Sequence, residues 1–373
     1  MADLPREIIS NILSRLPAKY LIRFRCVSKP WESLIRDPNF IQMHIDYATK
    51  NRNFNLMLND NHETLICSLG WESSFTKVSE VAQPGKAKYN SVSVLGSCNG
   101  LLYIDTSKFH AIWNPCTKQY KKIPALEDMS SSSAHGFGYD QGTDEYRVVE
   151  ILRFDEDDDK KSRSEVMVYT MGKKSWRKIK DLDYSVYANH ALYLNGTLVW
   201  LVKGSWSITP NSIVSFNLGD ETLFDVPRPP CVDSITSAAI LDGNLCILND
   251  VKGVQADVWV VKDIYSSDSW TKMCSISPYM DSPRFKVIGS FSWLRVLCFC
   301  KTGELLLEYD HGDLLTYDPK HEKIEIVPRH PFPRRFKATP YVESLVELNT
   351  GTYVGRRQTK LKRKPESISN RKR

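Results

Sequence analysis

Four times along this chain a turn dipeptide ending in glycine is followed at once by a short apolar run. Asn99-Gly100 precedes LLYI, Asn195-Gly196 precedes TLVWLV, Asp242-Gly243 precedes NLCIL, and Thr302-Gly303 precedes ELLLEY. Asn-Gly and Asp-Gly take up the positive φ angles of a type I′ turn at little cost, so the first three mark hairpins. A second strand with a central aromatic follows each run: HAIWNP, SIVSFNL, DVWVVKD and DLLTYDP. A third strand then ends the unit: QYKKIP, TLFDVP, SWTKM and KIEIV. One further copy, EYRVVEILRF, SEVMVYT and SWRKIK, lacks the glycine opening but keeps the rest. The aromatics Trp113, Tyr169, Phe216, Trp259 and Tyr317 are then 56, 47, 43 and 58 residues apart. Those spacings bracket the ~40–50-residue period of propeller blades. With strands in FNLMLN and TLICSLG and a closing strand near ESLVEL, the pattern predicts an all-β, propeller-like repeat domain of about six blades. A propeller leaves only short, protected strand edges, which suits a soluble chain so rich in strand. An irregular array of β-sandwiches is the competing fold.

The first 45 residues follow a different period. Pro5 fits the first turn of a helix, and Glu7 suits its positive end. Ile8 with Ile12, and Ile9 with Leu13 and Leu16, recur at three- and four-residue spacing, and Pro17 ends the helix. A second helix carries Leu21 and Phe24 on one face and Arg23 and Arg25 on the other. Ser28 caps a third, with Pro30 in its first turn, Trp31, Leu34 and Ile35 on its apolar face, and Asp37-Pro38 as its stop. Three such helices bury too little surface to be stable alone. On periodicity, their remaining apolar surface faces either the following domain, as a cap, or a partner.

The string LPREIISNILSRLP, followed by RFRCVSKPWESLIRDPNF, resembles the F-box in its plant form over the whole module. That resemblance implies binding to a Skp1-like adaptor and, through it, to a cullin and a RING protein. Carried over position by position, it nominates Leu4, Pro5, Ile8, Leu16, Pro17, Leu21, Val27 and Trp31 as adaptor contacts or their immediate supports. Tyr20, where a small polar residue is common, and Pro30, just before the tryptophan, depart from the pattern near helix starts; a modest effect on affinity is expected. In the repeat region, GSCNGLLYI, IWNPCTKQYKKIP and GFGYDQGTDEYRVVEI resemble the F-box-associated, kelch-like domain, although the kelch double glycine is absent. The expected organisation is an F-box over 1–45, a propeller-like substrate-binding domain over 46–350 and a basic disordered tail over 351–373. The function implied is that of a non-catalytic substrate receptor in an SCF ubiquitin ligase. It would direct a protein target to ubiquitination and degradation, in a setting such as plant defence or self-incompatibility. The alternative is a propeller that binds a ligand or catalyses a reaction beneath a helical cap.

Other features bear on chemistry and location. From Arg356 to Arg373 nine Lys/Arg face one Glu, which leaves the rest of this +6 chain slightly acidic. A body of that charge is not built to track nucleic acid phosphates. No apolar stretch reaches the ~18–20 residues of a spanning helix, and no secretory h-region opens the chain, so no membrane partner is expected. The expected location is cytoplasm and nucleus. Lys360, Lys362, Arg363 and Lys364 resemble a nuclear import signal; a solubilising or RNA-sticky end is the other reading. Cys298 and Cys300 form a lone C-x-C, read as packing, and the Asn195-Gly196-Thr197 sequon is read as a turn. Gly136, Gly138 and Gly142 lack dinucleotide spacing, and the Asp155–Asp159 acidic run lacks a calcium loop's glycine and terminal Glu, and is read as a solvated hairpin tip. The eight histidines show no metal-ligand spacing, with His110, His190 and His311 beside strands or turns. No metal, cofactor or catalytic group is expected.

Overall fold

The computed structural model describes residues 4–348, apart from 60–63, 70–74, 81–83, 85–91, 107, 127–133, 155–162, 183–185, 187, 189, 203–211, 280–287, 329–331 and 333–334. The helical module comprises α1 (Arg6–Leu13), α2 (Ala18–Phe24), α3 (Lys29–Ile35) and α4 (Pro38–Lys50). Where three helices were expected, the fourth follows from a double role of Asp37-Pro38. The dipeptide stops α3, and the Asp37 carboxylate then accepts from the Asn39 and Phe40 N–H groups (2.8 and 3.4 Å) while Pro38 enters the first turn of α4. Phe40, Ile41, His44, Ile45 and Ala48 give α4 a buried face at helical spacing. The domain boundary expected at residue 45 therefore falls inside a helix.

The strands follow in chain order. The first group is β1 (Phe54–Asn59), β2 (Thr64–Leu69) and β3 (Phe75–Glu80); next come β4 (Ser93–Cys98), β5 (Leu101–Asp105), β6 (His110–Trp113) and β7 (Tyr120–Lys122). A third group is β8 (Ala134–Asp140), β9 (Glu145–Phe154), β10 (Arg163–Thr170) and β11 (Ser175–Leu182). A fourth is β12 (Leu192–Leu194), β13 (Thr197–Val202), β14 (Ser212–Asn217) and β15 (Leu223–Val226). A fifth is β16 (Ile235–Leu241), β17 (Asn244–Val251), β18 (Gln255–Val261) and β19 (Trp270–Ile276). The last strands are β20 (Leu294–Phe299), β21 (Leu305–Tyr309), β22 (Asp313–Asp318), β23 (Lys323–Ile326) and β24 (Lys337–Val342). They form six four-stranded antiparallel sheets among the described residues, and the first joins β24 to β1, β2 and β3. The inner strands β24, β4, β8, β12, β16 and β20 contact one another in succession around a closed ring, the architecture of a propeller. Pairing of the last strand with the first locks that ring, with Phe54 opposite Val342 and Asn59 opposite Lys337.

Three particulars refine the sequence reading. The three-strand repeat is a four-strand sheet: the turn dipeptides sit between the inner strand and the second one, so the inner strand precedes each glycine. Asn99-Gly100, Asn195-Gly196 and Asp242-Gly243 all have paired positive φ angles, as a type I′ turn requires. The closing strand is Lys337–Val342 and not ESLVEL. β24 pairs on one side only, so Pro340 is tolerated there without a missing ladder bond. Finally, Gly136 and Gly138 belong to β8, and a side chain on either would come within 2.7 Å of Leu198 and Trp200 or of Leu218 and Tyr193. These glycines let two sheets approach; they do not cradle a phosphate.

The repeated aromatics occupy equivalent places, each in the third strand of its sheet. Trp113, Tyr169, Phe216 and Tyr317 are buried, and Trp259 is half-buried. Burying such rings contributes about 1.5–3 kcal/mol apiece to the stability of the ring.

Candidate protein-docking site

The helical module keeps one side of its apolar surface uncovered. Leu4 (58% exposed), Ile8, Ile12, Tyr20 and Val27 (61%) are all open to solvent. Among the nominated residues, Pro5 and Pro17 are also exposed, and Leu16 and Trp31 are half-buried. Leu21 differs: it is fully buried within the core and supports the surface from beneath. Ile12 and Tyr20 were missed as surface candidates. Their positions are set by helical phase, since Ile8 and Ile12 are one turn apart, whereas the Ile9 and Leu16 side of the module packs inward. Trp31 is held edge-on to Phe24, with ring centroids 5.6 Å apart. The Ser28 side chain accepts from the Trp31 N–H at 3.4 Å, a weak version of the expected cap.

The opposite side of the module is fused to the ring. One continuous hydrophobic cluster contains Leu13, Leu21, Ile35, Phe40 and Ile45 of the helices together with Leu101, Tyr146, Leu345 and Val346 of the ring. The ESLVEL segment, Glu343 to Leu348, is the strap that joins them. Its Glu343 carboxylate accepts from the Ala18 N–H at 2.6 Å, and its Glu347 carboxylate pairs with Arg25 at 2.6 Å and Arg36 at 3.6 Å. Arg25 thus turns inward instead of lying on the polar face that the helical pattern assigned it. From the ring side, the Asn114 side-chain amide donates to the Ser344 and Val346 carbonyls (3.1 and 2.8 Å), and the Leu348 N–H donates to Gln119 Oε1. Burial pushes the Glu343 carboxyl above its ordinary range, opposed by the Ala18 N–H and Lys19. A second tie lies at residue 52, where the Arg52 guanidinium pairs with Asp242 at 2.5 Å and lies 4.3 Å above the Phe299 ring. All these ties reach the same ends of the inner strands, so the helices sit on one face of the ring.

The channel through the ring encloses about 1800 Å3. Arg52, Asp242 and Asp46 line it on the helical side; Trp293, Arg295, His311, Lys337 and His190 line it toward the opposite face. Beside it lies a connected buried set that sequence spacing did not reveal. The Tyr103 hydroxyl lies 2.7 Å from both Glu150 Oε1 and His110 Nδ1, and His135 Nδ1 lies 2.7 Å from Glu150 Oε2. His110 and His190 flank His135, with ring centroids 5.8 and 5.7 Å away. Burial depresses His190 to about 3, with Lys337, His135 and Arg295 acting in the same direction. These residues come from separate strands and loops, so no linear motif announces them. Among the described residues no group of three or more His, Cys, Asp or Glu could hold a metal ion. Cys298 and Cys300 are buried in the core, as the packing reading required. The acidic run at Asp155–Asp159 and the import-like Lys360, Lys362, Arg363 and Lys364 lie outside the described residues. No helix among the described residues is long and apolar enough to cross a membrane.

Comparison with known proteins agrees with both halves of this architecture. Residues 1–43 match the F-box domain, and residues 43–348 match the F-box associated beta propeller domain. F-box protein CPR1 of Arabidopsis thaliana is 32% identical over 100% of this chain and 97% of its own length. An F-box/kelch-repeat protein of the same plant is 29% identical over 76% of this chain and 82% of its own. The match to the propeller domain ends at Leu348, the last residue of the strap, which the fold makes an integral part of the ring. The chain therefore belongs to the F-box protein family, in the form whose F-box is followed by an F-box-associated β-propeller domain.

Proposed function

We propose that this chain is the substrate receptor of a Skp1-cullin-F-box ubiquitin ligase. The observation that carries the reading is the uncovered apolar stripe of Leu4, Ile8, Ile12, Tyr20 and Val27 on a module whose other side is fused to the ring. Several large apolar side chains left in solvent on one small module mark a protein interface. A Skp1-like adaptor would cover it, with Pro5, Leu16, Pro17 and Trp31 at its margins and Leu21 as internal support. The cullin and RING protein then follow through the adaptor. Each of the six sheets is taken as one blade, and the domain division stays that of an F-box, a substrate-binding propeller and a basic tail.

In this reading the chain contributes no reacting group. It holds a protein target near the ubiquitin-charged enzyme, and the rate gain comes from proximity and orientation. Orientation needs a stiff receptor, which is what the strap and the shared core supply. Cytoplasm and nucleus are the proposed locations, with the Lys360–Lys364 segment as import signal. Plant defence or self-incompatibility are the settings that the family likeness suggests for the target.

Adaptor capture tests the reading. The wild-type chain should retain a Skp1-like adaptor in a pulldown, and replacing both Leu4 and Pro5 by Ala should remove most of it. Equal retention by the two chains would sink the proposal. Proximity labelling with and without residues 1–45, scored for proteins that accumulate when the module is absent, would then identify the target.

A further inference from the structure

The channel mouth on the face away from the helices has a chemistry of its own. Three segments meet there and are tied by backbone hydrogen bonds: Asp310 N–H to the Trp293 carbonyl at 3.3 Å, and Phe336 N–H to the His311 carbonyl at 2.7 Å. This places Trp293, at the entry to β20, beside His311 in the β21–β22 turn and Lys337 at the start of β24. The Trp293 and His311 rings meet edge-on at 5.3 Å, and Trp293 is 53% exposed. Arg295 and His190 line the same cavity. Among the described residues lining this half of the channel, the ionisable groups are nitrogen bases, and no carboxylate is present. The acid paired with Arg295, Glu308, is buried behind the wall: it lies 2.9 Å from Arg295 and accepts from the Ala338 N–H at 3.0 Å.

We propose that this mouth is an oxyanion-binding site in which Lys337 and Arg295 grip an acidic side chain of the substrate protein, with Trp293 as the apolar shelf beside it. The assignment to a substrate side chain rests on the receptor reading above; the anion site itself does not. Surrounding protein and the neighbouring Arg295 lower the Lys337 ammonium to about 8, partly offset by Glu308. An anion placed between the two cations relieves that repulsion and raises the Lys337 pKa, so binding takes up a proton. The other charged or titratable groups facing this point are His311 in the β21–β22 turn, Glu308 behind Arg295, His190, which is held neutral, and His135 beyond it.

The experiment uses the full chain, checked first for adaptor capture, and two probes at constant ionic strength. One is sulfate, whose charge is fixed between pH 7 and 9; the other is a short peptide rich in Glu with one Leu. The expected results are peptide binding that sulfate displaces, and at least a tenfold loss of affinity in Lys337→Gln. Affinity of the wild type should be about tenfold weaker at pH 9 than at pH 7, as Lys337 loses its proton. Lys337→Arg should keep the pH 7 affinity and lose that pH dependence, which a fold defect would not produce. Sulfate binding without peptide binding supports the site and reassigns its ligand to a small free anion. Binding of neither probe, or equal binding by wild type and Lys337→Gln, overturns the proposal. A chain that captures the adaptor but fails here refutes the anion site alone, whereas one that binds the probes but no adaptor refutes the receptor reading alone.

Discussion

The helical module and the ring use apolar residues in opposite ways. In the ring the aromatics of the repeat are mostly consumed internally: Trp113, Tyr169, Phe216 and Tyr317 are buried with Trp200, while single side chains such as Trp293 and Tyr265 stay exposed, and pairing of β24 with β1 closes the ring. In the module only one side is consumed, by the ring, while Leu4, Ile8, Ile12 and Val27 stay in water. Leaving such side chains exposed forgoes about 1.5–3 kcal/mol each. The difference separates a self-sufficient scaffold from a surface whose complement lies on another molecule. It also explains why the module needs the strap: about 45 residues of helix with one face reserved for a partner cannot hold themselves together.

That contrast can be tested at several depths. The largest effect is expected in the ring. Trp200 packs against Gly136 and donates from its indole N–H to the His135 carbonyl at 3.0 Å. Trp200→Ala should cost about 3–5 kcal/mol in denaturant unfolding, yet leave the adaptor affinity of the folded fraction within about twofold. Next comes the join. Leu345 is fully buried in the cluster shared by both parts, and Leu345→Ala should cost about 2–5 kcal/mol. Because that cluster spans both parts, limited proteolysis of the variant should show the helices released before the ring is cut; simultaneous loss would mean that Leu345 is not what couples them.

A smaller effect concerns pH. His44 is buried in α4 with Nε2 3.0 Å from the Leu16 carbonyl, and burial lowers its pKa from 6.5. Its folded state therefore binds fewer protons than the unfolded chain below pH 6.5. Stability from this group is complete above that pH and declines as pH falls toward the depressed value. His190, at about 3, gives the ring the same sign over a wider window. Melting between pH 7.5 and 5 should show a shallower acid slope in His44→Gln than in wild type; identical slopes would exclude His44 as a source.

The sequence disclosed these parts unevenly, for physical reasons. The hairpin turns were legible because Asn-Gly and Asp-Gly encode positive φ locally. The inner strands β4, β12, β16 and β20 were overlooked because they precede the glycine that marks each unit. α4 was hidden behind Asp37-Pro38, which reads equally as a stop and as a start. ESLVEL has the alternation of a strand, but its glutamates are spent on the Ala18 N–H and on Arg25, contacts more than 300 residues distant in the chain. Leu21 and Val27 illustrate the limit of carrying a motif across: both match the family pattern, and only burial tells that one supports and the other is free to touch. The buried His110–Tyr103–Glu150–His135 set could be seen only in three dimensions, since its members come from two sheets.

The most direct test of the account is whether the exposed helical stripe is what the adaptor holds. Ile8→Glu with Val27→Glu changes two solvent-exposed side chains, so thermal unfolding should move by no more than about 0.5 kcal/mol equivalent. Light scattering after gel filtration should show a one-to-one complex of wild-type chain and Skp1-like adaptor, and no complex with the double variant. A double variant that folds normally and still forms the complex would contradict the central claim.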